Sequence, residues 1–214
     1  MASGRLWRRP RPPGLTLGVD EVDTEVSAGG LTNATKVLEN LWLSGQDVTG
    51  DRISLQRAGV SHIVNCSIRL ANFYPQDFSY HRVSWADESG QNMDPAILEA
   101  AFRHIDAARL AGTACLVHCK AGTSRSCSLV LGYLMQLGEG MSLAAALEFC
   151  QAKRRQCNPD KYFLEKLSEY EERLFGQTSV SLHDYHRGDI AGSIVIGRNG
   201  APPPTAATRL SRTS

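Results

Sequence analysis

Between residues 31 and 175 the chain alternates short apolar runs with longer periodic stretches. In "KVLENLWLS" the apolar positions on either side of Glu39-Asn40 predict two short strands joined by a tight turn. "DRISLQRA" followed by Gly59 reads as a short helix with a glycine stop, and "VSHIVNC" as the strand after it. "SYHRVSW" is a further strand. Asp94-Pro95 predicts the N-cap and first-turn proline of a helix running to about Leu110, with Leu98, Phe102 and Ile105 on one face. "ACLVH" is a continuous apolar run, the pattern of a strand buried on both faces.

The periodicity changes after residue 125. Leu129, Val130, Leu131, Tyr133, Leu134, Met135 and Leu137 make the helix over about 126–137 apolar nearly all round, which predicts a place in the centre of a domain. Two amphipathic helices follow. One carries Leu143, Ala146, Leu147 and Cys150; the other, with Asn158-Pro159 as its expected cap, carries Phe163, Leu167, Tyr170 and Leu174. Strands alternating with helices predict an α/β fold, a central and mostly parallel twisted sheet flanked by helices.

The flanks lack this patterning. Residues 1–30 run from the basic, proline-rich "RLWRRPRPPG" to the acidic "VDEVDTEV" and read as a disordered tail with no secretory apolar core. Residues 176–214, with "APPPTAA" and a terminal "RLSRTS", read as a second disordered tail. Domain organisation is therefore expected as 1–30, 31–175 and 176–214.

A net charge of +1 gives no overall polarity that would favour nucleic acid or a membrane surface. No apolar stretch approaches the roughly 18–20 residues of a membrane span. Cys66, Cys115, Cys119, Cys127, Cys150 and Cys157 lie in apolar periodic segments without zinc-ligand spacing. They read as the small buried hydrophobes of a reduced intracellular protein, with one exception.

The exception is Cys119. It ends the buried run in "LVHCKAGTSRSCSLVLGYL" and opens a short loop that leads into the apolar helix. Strand, glycine-containing loop and helix N-terminus together form an anion site, because backbone N–H groups converge there. The same electropositive setting lowers a thiol pKa from about 8.5 into the ~3.5–7.5 range, so a cysteine placed here becomes a nucleophile facing bound phosphate. Arg125 supplies the planar fork that clamps two oxygens, and Ser126 can donate a hydrogen bond to the sulfur. Lys120, Ala121, Gly122, Thr123, Ser124 and Arg125 would wrap the phosphate. His118, adjacent to the cysteine on an extended segment, is expected to face inward and support the loop by hydrogen bonding.

"HCKAGTSRS" fits the His-Cys-x5-Arg-Ser/Thr pattern of the cysteine-dependent protein phosphatases. The chain resembles their dual-specificity branch over 31–175, with "ENLWLSG", "AGVSHIVN" and "RRQCNPDKYFLEKLSEYE" matching in order. "NFYPQDFSYHRVSWADE" is similar to slingshot-type members and plant relatives. The resemblance implies a protein-tyrosine-phosphatase-like fold and hydrolysis of phosphotyrosine, phosphoserine and phosphothreonine through a phosphocysteine, without metal or cofactor. It also implies an aspartate acid about thirty residues before the cysteine. Asp87 in "SWADESG" is that residue, with Glu88 and Asp94 as neighbours. An ordinary aspartate pKa near 3.9 then implies a bell-shaped pH profile with an acidic optimum.

Lys120 makes "HCKAG" open like a lipid-phosphatase loop, but Thr123 stands where that loop has a second lysine. A phosphoinositide or other non-protein phosphate monoester, or a low-activity phosphate-binding adaptor, are the alternative functions. Cys66 and Cys127 are candidate redox partners of Cys119, with plain packing as the other reading. Arg8, Arg9 and Arg11 before Leu15 and Leu17 resemble the docking peptide through which some phosphatases engage mitogen-activated kinases. The expected location is the cytoplasm or nucleus; the arginine-rich start, with no acid before Asp20, also fits an organelle transit peptide.

Overall fold

The computed structural model describes residues 30–86, 93–138, 140–181 and 195–196. Two short strands, β1 (Thr35–Leu38) and β2 (Leu41–Ser44), form an antiparallel hairpin in which Leu38 pairs with Leu41. Asn40 turns the chain with a φ of 62°, a left-handed conformation that asparagine tolerates better than most residues. A 3-10 turn over Gln46–Gly50 leads to α1 (Arg52–Arg57), whose N-cap Asp51 accepts from the Ser54 amide at 3.0 Å. Next come β3 (Val60–Asn65), β4 (Ser79–Arg82), α2 (Pro95–Leu110) and β5 (Ala114–His118). The helices α3 (Arg125–Gln136), α4 (Leu143–Lys153) and α5 (Lys161–Phe175) complete the main body.

The five strands form one sheet in the order β1-β2-β5-β3-β4, parallel except for the β1–β2 pair. β5 lies in the middle with all five residues buried, as its continuous apolar run predicts. Alternation along the strands divides the core. Cys115, Val117, Val64 and Leu43 join the cluster built with α2–α5; Ala114, Leu116 and Ile63 join a smaller one with Leu55 of α1, Val48 and Phe78. Every residue of α3 is buried, and Gly132 lets the Phe102 ring of α2 come close to its backbone.

Two details differ from the sequence reading. The cap of α5 is Asp160, whose side chain accepts from the Phe163 amide at 3.1 Å, rather than Asn158-Pro159. Asn158 instead donates its own N–H to Thr123 in the loop after β5, so it serves the site and not the helix. The packed chain also runs past residue 175. Gly176 ends α5 in a left-handed turn, and β6 (Val180–Ser181), with Val180 buried, pairs antiparallel with β7 (Val195–Ile196). Glu171, buried on α5, clasps this extension. Its carboxylate accepts from the Ser179 amide and hydroxyl, both at 2.7 Å, and from the Leu143 amide at the start of α4 at 2.8 Å. The Ser179 hydroxyl in turn accepts from the Ala144 amide at 2.9 Å.

Candidate active site

The loop from His118 to Arg125 leaves the C-terminal end of the central strand and enters the buried helix α3, so its two ends are fixed by the best-packed parts of the domain. Its carbonyls turn away from the loop centre. Lys120 O accepts from Gln46 N at 3.0 Å, Thr123 O from Asn158 N at 2.8 Å and Ser124 O from Ser128 N at 2.8 Å. Gly122 O accepts from Arg154 Nε at 2.9 Å and from Cys127 Sγ at 3.4 Å. Carbonyls engaged by donors outside the loop are the arrangement that leaves peptide amides to an anion.

Gly122 has a φ of +69°, and a Cβ there would lie 2.5 Å from the Ser44 carbonyl carbon and 2.6 Å from Gly45 N. The hairpin strand β2 therefore runs directly behind the loop, and only glycine fits. Ser124 precedes α3 without capping its amides through its side chain. Its hydroxyl donates to Asp160 Oδ2 at 3.0 Å and accepts from Asp160 N at 3.1 Å. The first turn of α3 is thus left without a side-chain cap, and its partial positive charge faces the loop.

Cys119 is buried, with 2% of its surface exposed. Its sulfur accepts from Gly122 N and from the Ser126 hydroxyl, each at 3.2 Å. Arg125 is also buried, its guanidinium donating through Nη1 to the Ser67 hydroxyl at 3.2 Å and to the Trp85 carbonyl at 3.4 Å. Cys119, Gly122, Ser124, Arg125 and Ser126 are brought together as the motif predicts, while the Lys120 side chain points to solvent. Asp87, Glu88 and the tail residues Arg8, Arg9, Arg11, Leu15 and Leu17 lie outside the described residues. Asp94 caps α2.

His118 faces inward as expected, but neither ring nitrogen makes a hydrogen bond of ordinary geometry. Burial holds its pKa down at about 4, with the Arg82 charge adding to the effect and the adjacent Cys119 backbone opposing it. The ring supports the loop by filling space as a neutral group, and its backbone carbonyl accepts from Cys66 N at 2.8 Å.

All six cysteines are free thiols. Burial pushes the Cys66 thiol well up, and neighbouring Cys119 adds to that. Cys127, bonded to the loop at Gly122, is pushed up by burial and by its contact with Cys157. Among the described residues no cluster of histidine, cysteine and carboxylate side chains is arranged to hold a metal ion. A cleft of about 530 Å³, bordered by Asn33, Thr35, Asp47 and Arg155, touches the loop through Ala121, and neither Cys119 nor Arg125 lines it.

Several supporting residues were not singled out in the sequence. Arg154 and Asp160 fall inside "RRQCNPDKY", and Ser44 and Gly45 inside "ENLWLSG". Those segments carried the signal, but only the folded chain shows what each residue does. Ser67 had no such signal.

Comparison with known proteins agrees with this geometry. The family model for the dual specificity phosphatase catalytic domain matches residues 41–173. Protein phosphatase Slingshot homolog 3 from Homo sapiens is 39% identical over 138 residues, covering 64% of this chain and 21% of that protein. The chain thus spans about a fifth of that relative's length. Dual specificity protein phosphatase 1B from Arabidopsis thaliana is 27% identical over 159 residues, covering 74% of this chain and 94% of its own. The crystal structure of human DUSP28 superposes with a TM-score of 0.62 at 33% identity, covering 66% of this chain and 95% of that one.

Proposed function

The chain belongs to the dual-specificity phosphatase family, and we propose that it is a protein phosphatase that hydrolyses phosphotyrosine and phosphoserine or phosphothreonine through a phosphocysteine. The observation that carries this reading is the environment of the Cys119 sulfur. It receives an amide and a hydroxyl hydrogen bond at 3.2 Å each, at the mouth of a loop whose carbonyls at 120, 122, 123 and 124 turn outward. A thiolate there is stabilised by the same donors that hold the phosphate.

In the first step the Cys119 thiolate attacks phosphorus, and an S–P bond forms as the bond to the leaving oxygen breaks. Arg125 and the loop amides hold the non-bridging oxygens, and Asp87 delivers a proton to the departing phenol or alcohol. In the second step water, losing its proton to Asp87, attacks the phosphocysteine. Inorganic phosphate departs, and Ser126 donates to the sulfur as its negative charge returns. The loop supplies the charge stabilisation throughout, so the sequence of events needs no metal.

Turnover of a generic aryl phosphate by the full chain tests the reading. We expect Cys119→Ser to abolish hydrolysis and wild-type activity to peak below neutral pH; equal rates for the two proteins would overturn it. Asp87→Ala, used to trap substrates, distinguishes phosphoproteins from phosphoinositides.

A further inference from the structure

An arginine that clamps phosphate has to present its guanidinium in one plane and at one angle, yet its side chain is long and rotamer-rich. Arg125 is oriented by a segment that the catalytic scheme does not otherwise use. Ser67, 1% exposed, follows β3 on the strand adjacent to β5, and its hydroxyl oxygen accepts from Arg125 Nη1 at 3.2 Å. The same oxygen accepts from Arg69 N at 3.2 Å, and Ser67 N donates to Asn65 Oδ1 at 3.1 Å.

Two side chains at the ends of neighbouring strands hold this turn. Asn65, fully buried at the end of β3, donates to Leu70 O at 3.1 Å and to Asn72 Oδ1 at 2.8 Å. Arg82, paired with Asn65 in the β3–β4 register, donates to Ser67 O at 2.5 Å, to Leu70 O at 2.8 Å and to Asn72 Oδ1 at 2.9 Å. Trp85, whose carbonyl also receives Arg125, accepts from Ile68 N at 3.2 Å and so ties the turn back to the segment that follows β4.

We propose that Ser67 is a positioning residue for Arg125, with Asn65 and Arg82 as the frame that fixes Ser67. The inference rests on the reading of Arg125 as the phosphate clamp. Ser67 and the Trp85 carbonyl are uncharged acceptors, so they set the guanidinium's direction without cancelling the charge it offers a dianion. A residue needed only for packing would not have to direct an acceptor at that nitrogen.

The test is a double-mutant cycle on the full chain, reading aryl phosphate kinetics, inhibition by inorganic phosphate, and melting temperature. Ser67→Ala is expected to lower kcat/KM about tenfold and to weaken phosphate inhibition by a similar factor, the scale of one hydrogen bond to a charged group. Melting should change by only a few degrees. In an Arg125→Lys background the same change should cost less than twofold, because the partner it positions is gone. Ser67→Ala within twofold of wild type, or an equal loss in both backgrounds, would overturn the proposal. Should Ser67→Ala fail to fold, Arg82→Gln is carried through the same cycle with the same outcomes. If wild type shows no Cys119-dependent turnover, the phosphatase reading falls. The cycle is then read on calorimetric phosphate binding, where the same two patterns decide the role of Ser67.

Discussion

Two loops meet at the guanidinium of Arg125, and they are built in opposite ways. The loop over 119–125 is held from outside, by donors that come to its carbonyls from Gln46, Asn158 and Arg154. The turn over 66–72 is held by Asn65 and Arg82, whose amide and guanidinium reach into it and bond its backbone and Asn72. The first arrangement leaves amides turned inward for an oxyanion; the second leaves one hydroxyl turned toward one arginine. A loop that binds through its backbone needs its shape protected, whereas a loop that binds through one side chain needs that side chain aimed.

The comparison is broken most severely at Gly122. Alanine there combines a left-handed φ with contacts at 2.5–2.6 Å to the backbone of Ser44 and Gly45, so either the loop or β2 must move. We expect hydrolysis to fall at least a hundredfold and stability by about 2–4 kcal/mol, read from aryl phosphate kinetics and urea unfolding. Wild-type turnover in Gly122→Ala would mean that the loop's shape is not what holds the phosphate.

His118 links the two loops, its carbonyl accepting from Cys66 N and its ring within the electrostatic reach of Arg82. Its folded pKa of about 4 lies below an unfolded value near 6.5, so the unfolded chain binds the extra proton first. Stability is therefore complete above about pH 6.5 and is lost as pH falls toward 4, by about 3 kcal/mol from this group. His62, His81 and His104, all shifted down chiefly by burial, act in the same direction. Urea midpoints at pH 7 and pH 4.5 check the sign, and His118→Gln should flatten the difference without removing it.

The smallest effect belongs to the solvent end of the second loop's connection. Arg52 and Asp77 pair at 3.3 Å, the arginine side chain about half exposed and the aspartate partly so. Arg52→Ala should change stability by less than about 0.5 kcal/mol and leave kcat/KM alone. A larger loss would mean that the segment after residue 72 also helps to aim Ser67.

What could be read in the sequence follows the same division. The central strand and helix were legible because burial on both faces gives β5 a continuous apolar run and burial all round gives α3 an apolar surface. Cys119, Arg125 and Ser126 were legible because loop chemistry confines them to a short spacing. Arg154 and Ser67 were not, since they act across 32 and 58 residues of chain: the β3–β5 pairing brings Ser67 to the loop, and the end of α4 brings Arg154. The misplaced cap at Asn158-Pro159 has a similar cause. Asparagine before proline is a good local cap, but the Asn158 N–H is given to Thr123 O and the cap falls two residues later, at Asp160.

The Glu171 clasp sets where the domain can be cut. A version trimmed at the end of α5 would remove Ser179 and leave a buried carboxylate with only the Leu143 amide for company, at the start of a helix packed on α3. Protease trimming, crystallisation boundaries and fusion joints should therefore fall beyond Ser181, where the chain has finished neutralising that charge.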